Sequence, residues 1–349
     1  MSIEYAPQFE SIVSKARAEG KRMRVALAGA DSESILRGVF EAEADGFVEP
    51  ILIGNFKRIQ EMTERIGVTG RSYDLQPLDD STNVVQYAIE MIKAGSADCL
   101  MRGDTSTRDF LMPVLNKANH LVRDDRLVTH VVFLKIPGYE KLLAVSDVTL
   151  LINPSADGRR EVLKNIVRAL RVFDVEHPNI ALLAMVEKPS FQMRDTVEDQ
   201  TMVREHLQRP IADCNLAGPI AYDLIMSKEA ARLKNFDCPY CGEFDGIVVP
   251  NLMSGNLMIK VLQMNAGATS CGILVGARIP VAITSRSDSP DKAYLSLAAC
   301  TAMWKDKDHK YFGKNWISIS NSTPRLTGGA YSFRSERLLS GREPVSEKA

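Results

Sequence analysis

Apolar positions in this chain fall into short runs that alternate with longer amphipathic stretches. Val25-Ala26-Leu27-Ala28 is a strand-like run ending in Gly29, and helical spacing begins near Ser32. Pro50-Ile51-Leu52-Ile53-Gly54 reads as a second strand, followed by a helical stretch over 55–66. Over 81–94 the apolar Val84, Val85, Ala88, Ile89 and Ile92 share one side of a helix, with Ser81 or Thr82 as its cap. A strand over 98–101 follows directly. This βαβα rhythm predicts an α/β fold with a mostly parallel sheet covered by helices on both faces.

The rhythm changes between 130 and 154. Two apolar runs, 131–136 and 142–152, lie close together around Pro137-Gly138-Tyr139, a connection that suits an antiparallel pair. We place the main domain boundary here, near Ser146. Helices are then expected over 158–174 and 195–208. Strands are expected over 179–186, 246–250, 271–275 and 281–284, with a final helix over 290–304. The chain thus divides into an N-terminal α/β domain over 1–146, rejoined by the helix from about 290, and a second α/β domain over 147–289. An irregular polar extension follows over 305–349.

Formal net charge is −1, which gives no global electrostatic case for nucleic acid or an anionic membrane surface. Any anion must be held by a local site. No apolar run reaches the ~18–20 residues a membrane helix needs, and the first residues lack a signal-peptide pattern. The six cysteines are too sparse for a disulfide framework, so a cytoplasmic protein is expected.

Three strand–turn–helix junctions carry candidate chemistry. In Arg102-Gly103-Asp104-Thr105-Ser106-Thr107-Arg108, glycine permits a tight turn and three hydroxyls precede a helix start, where free N–H groups favour an anion; Arg102 or Arg108 could add charge. In Asn251-Leu252-Met253-Ser254-Gly255-Asn256, Gly255 allows close backbone approach and Asn256 can donate and accept hydrogen bonds. In Thr284-Ser285-Arg286-Ser287-Asp288, a strand end delivers a hydroxyl, a cation and a carboxylate. Ordinary helix capping is the plain alternative at each. All three sit at expected carboxyl ends of strands, the edge where ligands gather in open α/β sheets. Cys238 and Cys241 form a single C-x-x-C, compatible with a metal, a redox pair or a plain loop. No complete metal-ligand pattern, Walker loop, G-x-S-x-G elbow or G-x-G-x-x-G is present.

In this order the junctions resemble the phosphate acetyl/butyryltransferase family. The specific elements are Val-Pro-Asn-Leu-x-x-Gly-Asn at 249–256, Thr-Ser-Arg-x-Asp-Ser at 284–289 and Ala217-Gly218-Pro219-Ile220-Ala221-Tyr222-Asp223. The stretch from Gly103 to Leu115, with Ile136-Pro137-Gly138-Tyr139, is closer to the butyryl branch. The resemblance implies two α/β domains with a cleft between them, a fold of the isocitrate/isopropylmalate dehydrogenase type, and a homodimer. It implies reversible reaction of acyl-CoA with inorganic phosphate to give acyl phosphate and free coenzyme A, with neither a metal nor a redox cofactor. By motif, Ser285 and Arg286 correspond to the phosphate and thiol site, Gly255 and Asn256 to the Gly-Asn turn, and Thr105, Ser106 and Thr107 to a phosphate loop that starts at Gly103. The acetyl enzymes' Asp six residues after the Arg is Lys292 here. Asp288, with Asp291 nearby, is our candidate base. Two other readings stay open: an NAD(P)-dependent hydroxy-acid dehydrogenase on a related fold, and a non-catalytic protein that binds coenzyme A or acyl phosphate.

Overall fold

The computed structural model describes residues 3–68, 73–79, 82–285 and 288–305. Its strands are β1 (Met23–Ala28), β2 (Val48–Gly54), β3 (Asp74–Pro77), β4 (Cys99–Arg102), β5 (Thr129–Lys135), β6 (Leu142–Ser146), β7 (Asn179–Leu183), β8 (Asn215–Ile220), β9 (Gly246–Val248), β10 (Thr269–Val275) and β11 (Val281–Ala282). Its α-helices are α1 (Glu10–Arg17), α2 (Glu33–Ala44), α3 (Phe56–Arg65), α4 (Val84–Lys93), α5 (Thr107–Leu115), α6 (Ala156–Val172), α7 (Arg194–Gln208), α8 (Tyr222–Met226), α9 (Lys228–Leu233), α10 (Leu252–Asn265) and α11 (Pro290–Lys305). The polar extension expected after 305 lies outside the described residues.

All the strands join one sheet, in the order β3-β2-β1-β4-β11-β10-β5-β6-β9-β7-β8. Neighbours are parallel from β3 to β11 and again from β6 to β8. Direction reverses at β11–β10, β10–β5 and β5–β6. The two parallel halves therefore run in opposite directions, and the short 137–139 connection joins an antiparallel pair. The sheet is continuous across Ser146.

Alternation along the strands divides the core between the two faces. Val25 and Leu27, Val131 and Phe133, and Ile180 and Leu182 join a cluster that spans the whole of one face, beneath α1, α2, α6 and α11. On the other face the apolar packing is split. Ala26, Ala28 and Leu100 pack with Ile89 of α4 and Phe110 of α5. Val132, Leu143 and Val145 pack with Leu224 of α8 and Ile259 of α10.

Two strands escape the sequence pattern, β3 and β8. Both are outermost in the sheet, where proline is tolerated because one side of the strand has no partner. The cap of α4 is Asn83, not Ser81 or Thr82. Asn83 Oδ1 accepts from the Val85 and Gln86 N–H groups, both at 3.1 Å. Thr82 instead donates to Asp79 at 2.7 Å, and Ser81 lies outside the described residues.

Candidate active site

After β4 the chain crosses the loop that follows β1. Gly103 N–H donates to Ala28 O at 2.9 Å and Asp104 N–H to Gly29 O at 2.7 Å. A Cβ on residue 103 would run into the Gly29 carbonyl, so only glycine permits this crossing. Ser106 takes the capping role: its hydroxyl accepts from Asp109 N–H at 3.0 Å and bonds the Asp109 carboxylate at 2.6 Å. Thr107 and Arg108 are exposed at the start of α5. Thr105 differs, because its hydroxyl is buried and has no hydrogen-bond partner.

Arg102 is a strut between two junctions. It is 6% exposed. Its Nε and Nη2 donate to Thr105 O at 3.0 and 2.7 Å, and its Nη1 donates to Thr284 O at 2.9 Å. The Thr284 hydroxyl returns a bond to Arg102 O at 2.6 Å. The loop after β4 and the loop after β11 are thereby locked together.

The second loop turns at Ser285. Asp288 N–H donates to Ser285 O at 3.0 Å, and the Ser285 N–H donates to Asp288 Oδ2 at 2.6 Å. Asp288 Oδ1 accepts from Lys292 Nζ at 3.1 Å, and its carbonyl accepts from the Ser34 hydroxyl. Both oxygens of the candidate base thus brace the turn and the start of α11. Ser285 is exposed. Arg286 lies outside the described residues.

The third junction packs under the end of β6. Asn251 caps α10 by accepting from Ser254 N–H at 3.0 Å. A Cβ on Gly255 would stand 2.9 Å from Asp147 O and from Val249 Cγ2, which explains the glycine. Asn256 Nδ2 donates to Val148 O at 3.1 Å. Asp147 is itself buried, and its carboxylate gathers the N–H groups of His130, Thr149, Leu150 and Leu151. Burial pushes its carboxyl up from the usual value, while these four N–H groups act against the shift.

His130 links the two sides. It lies near the start of β5, opposite Leu274 of β10, where the cluster under α4 and α5 stops and the one under α8 and α10 begins. Its Nδ1 is 2.7 Å from Thr149 Oγ1. Burial, and then the charge of Arg102, lower its pKa to about 3, so the ring is neutral. Hydrogen bonds thus join Thr105 and Thr284 through Arg102 on one side, and His130 to Asp147 on the other, with the Arg102 charge felt at His130.

This arrangement corrects one expectation. The three junctions do not share a strand edge. The β4 and β11 junctions lie at one edge, while β9 runs in the opposite direction and ends at the other. They are linked instead across one face of the sheet, where strand direction reverses and apolar packing is interrupted. His130 and Asp147 escaped the sequence reading. Their signal was a histidine and an aspartate set at matched positions of two otherwise apolar, paired runs.

Beside the crossing loops, Asp31 is paired with Arg58 at 3.7 Å. Burial, then the neighbouring Asp104 charge, hold its carboxyl above the usual value. Cys238 and Cys241 are both free thiols, and burial pushes Cys241 up to about 12. Among the described residues no group of three or more His, Cys, Asp or Glu side chains is placed to hold a metal ion, and no helix is long and apolar enough to cross a membrane.

The family described as "Phosphate acetyl/butaryl transferase" matches residues 76–302. Phosphate butyryltransferase of Clostridium acetobutylicum is 29% identical over 290 residues, covering 83% of this chain and 96% of that protein. Phosphate acetyltransferase of Thermotoga maritima is 28% identical over 292 residues, covering 83% and 97%. Among solved structures, a branched-chain phosphotransacylase from Enterococcus faecalis superposes with a TM-score of 0.69 at 26% identity, over 80% of this chain and 98% of that one. A phosphotransacetylase from Streptococcus pyogenes gives 0.70 at 21% identity, over 86% and 98%, a likeness of fold.

Proposed function

We propose a mechanism for this chain from the premise that it belongs to the phosphate acetyl/butyryl transferase family, whose match spans more than half of its length. It is an acyltransferase: it moves an acyl group reversibly between coenzyme A and inorganic phosphate. Of the readings open to the sequence, family membership selects this one over the dehydrogenase and the non-catalytic binder.

In the direction of acyl-CoA synthesis the thiol sulfur adds to the acyl-phosphate carbonyl. The carbon–oxygen bond to phosphate then breaks, and the thiol proton leaves with the departing hydrogen phosphate. This balances with no metal ion or redox cofactor. A free thiol has a pKa of about 8.5, so a neighbouring cation or base must raise its thiolate fraction. In our reading Arg286 grips the phosphoryl group and offsets developing negative charge, and Ser285 hydrogen-bonds the reacting centre. Thr105, Ser106 and Thr107, on the stretch from Gly103 into α5, and Gly255 and Asn256 near the start of α10 position phosphate and substrate. The observation that carries this reading is the Arg102 strut, which ties the hydroxyl loop to the Ser285 turn through Thr105 O and Thr284 O. Asp288 shapes the turn through its two bonded oxygens, and base catalysis by it would require the Lys292 pair to open.

The transferred acyl group is short in this proposal: acetyl, propionyl or butyryl. Two α/β domains with an isocitrate dehydrogenase type of fold are supported by the two oppositely directed halves of the sheet, although the bounds 1–146 and 147–289 cut across them, since β6 pairs into the second half and β11 into the first. A homodimer is supported by α10, where Met253, Leu257, Val261 and Met264 are exposed at helical spacing, with Ile152 exposed next to its first turn. We place the enzyme in the cytoplasm, where its free cysteines stay reduced.

The test is phosphate-dependent release of thiol from acetyl-, propionyl- and butyryl-CoA. Arg286→Ala is expected to lower turnover by ~10³ while leaving the melting temperature unchanged. Near-normal turnover in that variant would remove Arg286 from the mechanism.

A further inference from the structure

Two buried polar atoms near the Arg102 strut have no hydrogen-bond partner, Thr105 Oγ1 and His130 Nε2. A buried polar group left unpaired costs ~1–3 kcal/mol, so such atoms in a folded enzyme are completed by an ordered water or by a ligand. Thr105 already belongs to the hydroxyl-rich loop. His130 has no part in the mechanism so far.

The surroundings of His130 define what it can do. The residue is 7% exposed. Its Nδ1 is occupied by Thr149 Oγ1 at 2.7 Å, and its main-chain N–H is held by Asp147. A Cβ on Gly272 would approach Nε2 to 2.5 Å, so the strand beside the ring is kept free of a side chain. The same point above Gly272 lies 3.3 Å from Ile283 O, which sets the buried nitrogen beside the end of β11 that leads to Ser285. The substrates present acceptor oxygens at their reacting ends: the thioester carbonyl, the acyl-phosphate carbonyl and the phosphate itself. A group that serves them must donate. We assign the Thr149 hydroxyl as the donor to Nδ1, which puts the hydrogen of the neutral imidazole on Nε2.

We propose that His130 is a catalytic hydrogen-bond donor, its Nε2–H meeting the oxyanion that forms on the acyl carbonyl. This rests on the acyl-transfer reading above. When sulfur adds, the carbonyl π pair moves onto oxygen. When the carbon–oxygen bond to phosphate breaks, that pair returns. Nε2–H stabilises the charge between these events by a hydrogen bond and transfers no proton. A neutral donor keeps its hydrogen throughout, as an imidazolium next to Arg102 would not be tolerated. Thr149 is a positioning residue that fixes the tautomer.

The test compares His130→Phe, His130→Asn, His130→Gln and Thr149→Val with the wild type, using steady-state kinetics and thermal melts. Phe and Asn are expected to lower kcat by ~10²–10³ with KM changed only a few-fold, the loss typical of one oxyanion donor. Gln, whose amide reaches the Nε2 position, should restore kcat to within about tenfold of wild type. Thr149→Val should fall between the two. A folded Phe or Asn variant with wild-type kcat overturns the proposal. So does a Gln variant that loses as much kcat and as much stability as Phe, because the role would then be structural. If Phe fails to fold, Asn, smaller than imidazole, decides. A wild-type enzyme with no phosphate-dependent thiol release would defeat the functional reading instead.

Discussion

Arg102 offers the sharpest separation between the sequence reading and the structural one. Read as sequence it is a cation that could grip an anion. In the structure its guanidinium spans two carbonyls on different loops. Replace it with Met, which keeps length and removes every donor. A hydrogen bond to a charged group is worth ~1.5–3 kcal/mol. Two carbonyls lose their partner, and neighbouring bonds are not additive, while removing a buried charge returns part of the loss. The net expectation is a destabilisation of about 3 kcal/mol, read as a lowered urea midpoint with an unchanged slope. Lys can reach one carbonyl and should lose roughly half as much. Once the loops are no longer tied, a shift of ~1 Å at the reacting groups lowers kcat/KM by ~10². Removing the Arg102 charge also removes the second cause of the depressed His130 pKa, so the acid limb of the stability profile should shallow. An Arg102→Met enzyme of unchanged stability whose KM for phosphate rises steeply would refute the strut and restore the anion-binding role. Unchanged stability with unchanged kinetics would refute both.

Asp31 gives a stability prediction with a definite sign. Its folded-state pKa lies above the ordinary value of 3.8, so below that value both states are protonated and it contributes nothing. As pH rises through the raised pKa, the folded state must hold a desolvated carboxylate beside Asp104, and stability is lost. Asp31→Asn should therefore raise the melting temperature at pH 7, and the gain should fade as the buffer is taken down toward 3.8; a shift independent of pH would contradict the argument. At α10, Leu257→Asp combined with Val261→Asp should convert a dimer to a half-mass species in sedimentation velocity. A wild-type protein that sediments as a monomer would dispose of the interface.

Much of the fold was legible because its elements are local. The runs at 25–28 and 50–54 alternate with amphipathic stretches whose burial each helix can satisfy alone, so periodicity suffices. The edge strands β3 and β8 were invisible for the opposite reason: Asp74-Leu-Gln-Pro77 has almost no apolar pattern, and what makes it a strand is the neighbouring β2 backbone. The junctions were legible as turns, because Gly103 and Gly255 mark close backbone approaches that only glycine allows. Their mutual placement was not. It depends on strand direction, and the reversals at β11–β10, β10–β5 and β5–β6 arise from pairings between segments up to about 150 residues apart. That long-range pairing sets the Arg102 side of the centre against the Asp147 side, with His130 between them. The match of His130 with Asp147 in two apolar runs marks the place but not the role; that comes from the Arg102 charge, the Thr149 hydroxyl and the bare Gly272 that the sheet brings beside the ring. The residues most informative about chemistry are therefore those whose neighbours are most distant in sequence, and for them the sheet order is the first observation that gives the side chain a role.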